Sequence, residues 1–547
     1  MAIKRPLAAS AANDAAEQAA ELSPLSKEIF IGLVGYAGSG CSTAGKRLKV
    51  FLEESGYTDV HRVRLSELIL AKYPGSGAVQ PAEGPREGAE RLARAKLLQD
   101  LGDDLRSKHG NYAVAALGVK RIRELRGDAD PGTKKIAYVI DSIKHSSEVE
   151  FLREVYGQAF RLIAVHGERP VREGRLIGTA ASGAKYRGAP EADVRNYMNR
   201  DEKDGSNKSG QAVRDAFYLA DYFLDNNTGA PDGTSLNADL ERFVNLMLGA
   251  GLVRPTLAER AMNYAHAASL QSACLSRQVG AVLVSPSGEI VGTGTNDVPA
   301  YGGGVYGEES TSDHRCHVWE WDPKSEKFLG CHNDRKKDQL RQKIAQWLSD
   351  NFSDELALIA HPKSAVGHDT ADRARALTAA SFRDFFRQRE GALIDLPGVK
   401  DLIEYSRAIH AEMNAVLSAA RSGHSPKGGT LYCTTYPCHN CARHLVNAGI
   451  NRVYYVEPYI KSLASELHSD AISNAEIPMG EKQQKMIVLP FTGVGPRMYE
   501  DFFTKRVTLK GARGVYVAPE ASVPTQSVRL REMANVEERA AALVPET

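Results

Sequence analysis

Two short strings, His410-Ala411-Glu412 and Pro437-Cys438-His439-Asn440-Cys441, constrain this chain more than any other feature. Each opens a stretch with helical patterning, at 410–422 and 439–448, and an apolar run at 429–434 lies between them. The Cys-x-x-Cys spacing puts both sulfurs on one face of a first helical turn. The positive end of that turn favours thiolate over thiol. Two thiolates and an imidazole are three of the four donors of a tetrahedral zinc. The pattern therefore predicts a helix–strand–helix arrangement that gathers His410, Cys438 and Cys441. A fourth position is left for water, whose pKa zinc lowers toward ~7. Glu412 is not needed as a ligand and can carry protons to and from that water. A structural zinc knuckle, or cysteines unrelated to any metal, is the competing reading. A lone Cys-x-x-Cys would leave the two balanced; His-x-Glu on the preceding helix favours catalysis.

With 547 residues the chain is too long for one ordinary core. Two domains are expected, at 28–250 and 251–547, after a tail at 1–27. In the first, apolar runs at 28–34, 135–140, 159–165 and 221–225 alternate with helical stretches, the pattern of a parallel α/β sheet. The Gly- and Pro-containing stretch 249–255 is the expected boundary. The second domain opens with a helix at 257–270 and strands at 278–285 and 289–294. A long insertion follows at about 297–400. The core pattern then resumes with the two motif helices, strands at 429–434, 452–456 and 485–490, and a helix at 461–473. The tail is Ala-rich but broken by Asn13, Asp14, Glu17 and Glu21, so it reads as mobile rather than as a signal sequence. No apolar run approaches the ~20 residues of a membrane span. Seven cysteines, two of them in metal-ligand spacing, suit a reducing cytoplasm. A formal net charge of +1 offers no bulk field for a nucleic-acid backbone and favours a small-molecule partner.

Residues 35–43 read Gly-Tyr-Ala-Gly-Ser-Gly-Cys-Ser-Thr, between the first strand and a helix. Gly35, Gly38 and Gly40 give the frame of a phosphate-binding loop, and Ser42, followed by Thr43, falls where a hydroxyl holds Mg2+. Cys41 stands where that frame needs lysine. Backbone amides can still cradle phosphates. What is lost is the cation that reaches the outer phosphates. Asp141, ending an apolar strand, reads as a second magnesium ligand. Lys46, one turn along the helix, could substitute only if its side chain turned back. The expectation is a nucleotide-binding sensor with weak or no kinase activity; a decayed loop kept as scaffold and an active kinase are the alternatives.

The second domain resembles the cytidine/deoxycytidylate deaminase family. The strings that carry the resemblance are RQVGAVLV (277–284), GTGTN (292–296), HAEMNA (410–415), TLYCTTYPCHNCA (430–442) and GINRVYYVEPY (449–459). It implies a mixed five-stranded sheet between helices, zinc on His410, Cys438 and Cys441, and Glu412 as proton shuttle. Asn296 would contact sugar or phosphate, and Thr434, Thr435 and Tyr436 would line the base pocket. Arg277 and the Tyr455–Tyr459 region would touch the nucleotide. The first domain resembles nucleotide kinases through its loop, LQDLGDDLR (98–106) and the lid-like Arg172 and Arg175.

Together, a P-loop kinase-like parallel-sheet domain fused to a cytidine-deaminase-like three-layer α/β/α domain looks like the bacterial anti-phage dCTP deaminases. That resemblance implies zinc-dependent hydrolysis of dCTP to dUTP, or of dCMP to dUMP, and depletion of dCTP during infection. It also implies a homo-oligomer and a phage-derived trigger. Some deoxycytidylate deaminases hold an extra structural zinc; the candidates here are Cys316, His317, Cys331 and His332, with His314 nearby. Cys41, Cys274 and Cys433 read as small buried residues. A polynucleotide base deaminase, a housekeeping dCMP deaminase and a non-catalytic regulator stay open as alternatives.

Overall fold

The computed structural model describes residues 25–75, 88–178, 184–205, 207–227, 234–319, 321–322, 324, 327–328, 330–360, 368–388, 402, 404–459, 462–476, 482–505, 509–517 and 530–544. They form two compact units, Met1–Asn263 with Pro490–Thr547, and Tyr264–Leu489. Most of the expected tail lies outside the described residues. Its last residues are tied down: Ser26 is buried and accepts the Glu28 amide at 3.0 Å, and Lys27 donates to the Pro131 carbonyl.

In the first unit, β1 (Ile29–Val34) is buried along its whole length, as a strand covered on both faces must be. β2 (Asp59–Arg64), β3 (Ile136–Ile143), β4 (Phe160–His166) and β5 (Tyr222–Asp225) complete a parallel sheet in the order β5–β4–β1–β3–β2. β2 is the strand that sequence patterning hides. It is an edge strand carrying Asp59, His61, Arg62 and Arg64, and only Val60 and Val63 are buried.

In the second unit, β6 (Gly280–Val284) and β7 (Ile290–Thr295) form an antiparallel hairpin. β8 (Trp321–Asp322) and β9 (Lys327–Phe328) make a separate small ribbon. β10 (Thr430–Thr435) runs antiparallel to β6 and parallel to β11 (Arg452–Glu457). β12 (Ile472–Ser473) and β13 (Met486–Pro490) finish a mixed sheet in the order β12–β13–β11–β10–β6–β7. It has six strands where the resemblance implied five, the extra one being the two-residue β12. The helix expected at 461–473 shrinks to Ala464–Leu467. After Leu467 the run His-Ser-Asp offers no apolar periodicity to extend it. Within the insertion, helices His332–Ala360 and His368–Gln388 pack on each other, with Ala345, Ser349, Ser353 and Ala357 buried at every fourth position.

The C-terminal segment departs from the expected domain limits. Instead of remaining with 251–489, residues 490–547 group with the first unit. β14 (Gly493–Val494) pairs antiparallel with β5, and helix Leu530–Ala542 packs on helix Ala113–Arg126. The α/β class with two units is as expected; the chain simply enters the first unit twice.

Candidate functional site

The two motif helices bring the expected ligands together. His410 caps helix Ala411–Arg421 in extended backbone, and Cys438 caps helix His439–Asn447, its sulfur accepting the Cys441 amide at 3.4 Å. His410 Nδ1 stands 3.2 Å from the Cys438 sulfur and 3.4 Å from the Cys441 sulfur. Among the described residues, no other group of three histidine, cysteine or acidic side chains gathers its donor atoms within 4.8 Å. The two thiols share their chemistry unequally. Cys438 is pushed toward thiolate, first by its contact with Cys441 and then by His410, while Cys441 is pushed toward thiol by the same contact. One soft nitrogen and two sulfurs at helix N-termini fit zinc.

Glu412 lies in the first turn beyond His410, 4% exposed. Burial pushes its carboxyl up to about 7, against the His410 ring. A dication on the neighbouring sulfurs would draw it back toward the carboxylate. The helix that carries it can lie close on the sheet because β7 presents glycines there. A Cβ on Gly294 would come within 2.2 Å of the Ala411 carbonyl, and one on Gly292 within 2.4 Å of the Ala415 carbonyl. The GTGTN string is thus in part a seat for the His410–Glu412 helix. Asn414, on the same helix, donates to the Thr295 carbonyl at 3.0 Å.

The residues expected to meet substrate are placed as follows. Asn296 is buried; its Oδ1 accepts the Val279 amide at 2.6 Å and its amide donates to the Arg277 carbonyl at 2.8 Å, so it braces the approach to β6. Thr434 Oγ1 accepts the Gly280 amide at 3.1 Å, and Thr435 is buried at the end of β10. The Tyr436 hydroxyl contacts Ser465 at 2.7 Å and Asn474 at 3.1 Å, its ring edge-on to Tyr455. Arg277 lies over the Tyr459 ring, 3.4 Å from Glu457. Within the insertion, Cys316, Cys331 and His332 line one small cavity with Cys274, and His317 is not on it. Cys274, read from sequence as a small buried residue, is half-exposed and belongs to that group. The signal that could have included it is weak, since it lies 42 positions before Cys316.

In the first unit, β1 delivers the loop 35–40 to helix Cys41–Glu54. Gly40 caps that helix at φ 99°, a left-handed conformation that costs glycine little. Ser42 Oγ donates to Asp141 at 3.0 Å, joining the two expected magnesium ligands, and Arg62 of β2 reaches the same carboxylate at 2.7 Å. Arg175 donates to the Gly38 and Ser39 carbonyls, and Arg172 lies over the Tyr36 ring. Both expected lid arginines therefore touch the loop. Sequence reasoning missed Arg62, which sits on the strand it did not see.

Comparison with known proteins finds relatives for parts of both units. Residues 255–457 match the family described as cytidine and deoxycytidylate deaminase zinc-binding region. The deoxycytidylate deaminase of enterobacteria phage T2 is 29% identical over 205 residues, 38% of this chain and 82% of that protein. Among solved structures, the dCMP deaminase of cyanophage S-TIM5 is 17% identical with a TM-score of 0.20, covering 44% of this chain and 100% of that one. A shikimate kinase from Bacteroides thetaiotaomicron is 14% identical with a TM-score of 0.24, covering 40% and 97%. Residues 255–457 are thus similar in sequence to a cytidine and deoxycytidylate deaminase zinc-binding region.

Proposed function

We propose that this chain hydrolyses the 4-amino group of a deoxycytidine nucleotide, with dCTP as the principal substrate and dCMP as the alternative. The observation that carries the reading is the set His410, Cys438 and Cys441 with Glu412 buried beside it. These three donors would hold zinc, which when bound supplies the acidity that makes water a nucleophile at neutral pH. The work of the chain itself falls to Glu412. Its carboxylate takes a proton from the attacking water, hands it to ring nitrogen N3, and passes the next to the departing amine. Water oxygen becomes the C4 carbonyl, and ammonia leaves. The resemblance to anti-phage dCTP deaminases supports the triphosphate and a role in starving an infecting phage of dCTP. The name of the T2 relative supports the monophosphate. Nucleotide and Mg2+ at the 35–43 loop, a homo-oligomeric assembly, a cytoplasmic location and a phage-derived trigger belong to the same reading. Among the described residues, no helix is long and apolar enough to cross a membrane.

A panel of dCMP, dCTP, CMP, CTP and single-stranded DNA, offered to zinc-replete protein with ammonia release as readout, tests it. Conversion of dCTP to dUTP is the expected result. Exclusive use of dCMP would replace dCTP by dCMP, and activity confined to single-stranded DNA would sink the free-nucleotide reading. Cells expressing the chain should lose dCTP on phage challenge, and a Glu412→Gln strain should not.

A further inference from the structure

The 35–43 loop lacks its lysine, yet a lysine stands beside it. Lys144 Nζ lies 3.3 Å from the carbonyl of Gly35, the first residue of the loop, and 2.8 Å from Asp201 Oδ1. We propose that Lys144 supplies the cation that the loop itself has lost, and that the site takes a nucleoside triphosphate or a like polyphosphate. The inference rests on reading 35–43 as a phosphate-binding loop and adds the residue that completes it.

Position 41 cannot serve. Cys41 is buried, its sulfur 3.6 Å from Ser39 Oγ, and burial pushes the thiol up to about 11, so it carries no charge near neutral pH. Lys46 is exposed on the helix surface. Lys144 follows β3 directly, and the end of that strand is irregular. Leu33 of β1 faces Asp141 and Val34 faces Ile143, which leaves Ser142 unpaired as a bulge with φ 85°. In a regular strand, residues three apart point to opposite faces. The extra residue at 142 shifts that alternation by one, and Asp141 meets Ser42 while Lys144, the first residue past the strand, meets Gly35. A non-glycine residue held at positive φ is the kind of strain that functional sites retain.

The site also shows what it would accept. Asp201, on helix Glu191–Glu202 and 1% exposed, places Oδ2 2.7 Å from the Ala37 amide of the loop while Oδ1 pairs with Lys144. A carboxylate clamped between a loop amide and a lysine has the partners a phosphate oxygen would seek. Close by, Asp141 Oδ1 and Arg172 Nη1 are buried without a hydrogen-bond partner among the described residues. Unmade bonds of this kind are costly, and a bound cation and a bound anion would satisfy them respectively. Taking up a polyphosphate would draw Lys144 from Asp201 and release the end of that helix.

Calorimetry of the full chain with Mg2+·ATP, and separately with inorganic tripolyphosphate and Mg2+, tests the proposal. Lys144→Met should weaken binding about tenfold or more, as loss of a charge-assisted contact does. Lys46→Met should leave it within about twofold of wild type, since only surface charge changes. Adding Cys41→Lys to Lys144→Met should recover binding, because the cation returns by the usual route. If Lys144→Met unfolds through the buried Asp201 left behind, Lys144→Met with Asp201→Asn removes both charges and gives the same reading. Unchanged affinity in a folded Lys144→Met protein would overturn the proposal, and so would a wild-type chain that binds neither probe. Neither result bears on ammonia release at the zinc-type site, so failure here is distinct from failure of the deaminase reading.

Discussion

Glu412 and the three donors beside it divide the chemistry so that single substitutions can tell their roles apart. Glu412→Gln keeps size and hydrogen bonding but cannot accept a proton. It should lower kcat by about 10²- to 10⁴-fold, the range of general acid–base contributions, while the protein still holds one zinc at this site by metal analysis. Cys438→Ser should lose metal and activity together, because it removes one of three protein donors and the sulfur that accepts the Cys441 amide. A Glu412→Gln protein with full activity would remove it from the mechanism. These residues were readable from sequence because two helix starts and a fixed Cys-x-x-Cys spacing leave little freedom in where their side chains go. Asn296, Thr434 and Tyr436 were less readable. Their polar atoms are engaged with Val279, Gly280 and Ser465, contacts that depend on strand register and on a short helix 29 positions beyond Tyr436.

At the scale of elements, the helix His410 caps is only as well placed as the strand beneath it allows. Gly294 lets its backbone approach β7, and an added methyl at 2.2 Å from the Ala411 carbonyl must push that helix away. Gly294→Ala should cost about 1–3 kcal/mol in unfolding free energy, as overpacking does, and reduce deamination by displacing Glu412. A variant with wild-type melting and wild-type rate would show that the helix does not bear on β7 as described. The same reasoning separates legible elements from hidden ones. β1 is buried and apolar throughout, β3 and β4 are mostly so, and their runs stand out. β2 is an edge strand of mostly polar residues, and the bulge at Ser142 follows from how β1 and β3 pair. Neither leaves a periodic mark in the sequence, so Arg62 and Lys144 could not be placed from it.

At the scale of the molecule, the first unit is built from both ends of the chain. Arg126 sits between Glu28 and Glu537, at 2.7 Å from Glu28 Oε2 and 2.6 Å from Glu537 Oε2, with both carboxylates buried. Burial pushes the Glu28 carboxyl up even against this guanidinium. Arg126→Met would leave two buried carboxylates facing each other and should lower stability by on the order of 3–5 kcal/mol, read from denaturant unfolding. A loss under about 1 kcal/mol, typical of an exposed pair, would show that the C-terminal helix is not anchored there. A third buried acid, Glu259, holds the other returning piece: it accepts the Val494 amide at 2.9 Å while paired with Arg242. By itself the sequence determined the α/β class and the two-unit plan and pointed to His410, Glu412, Cys438 and Cys441 as a site, because periodicity and short-range spacing act within a few turns of chain. Only the tertiary structure decided that 490–547 returns to the first unit, and that a lysine just past β3 stands at a loop that has lost its own. Those are outcomes of strand pairing and of burial between residues up to 411 positions apart, which no local pattern records.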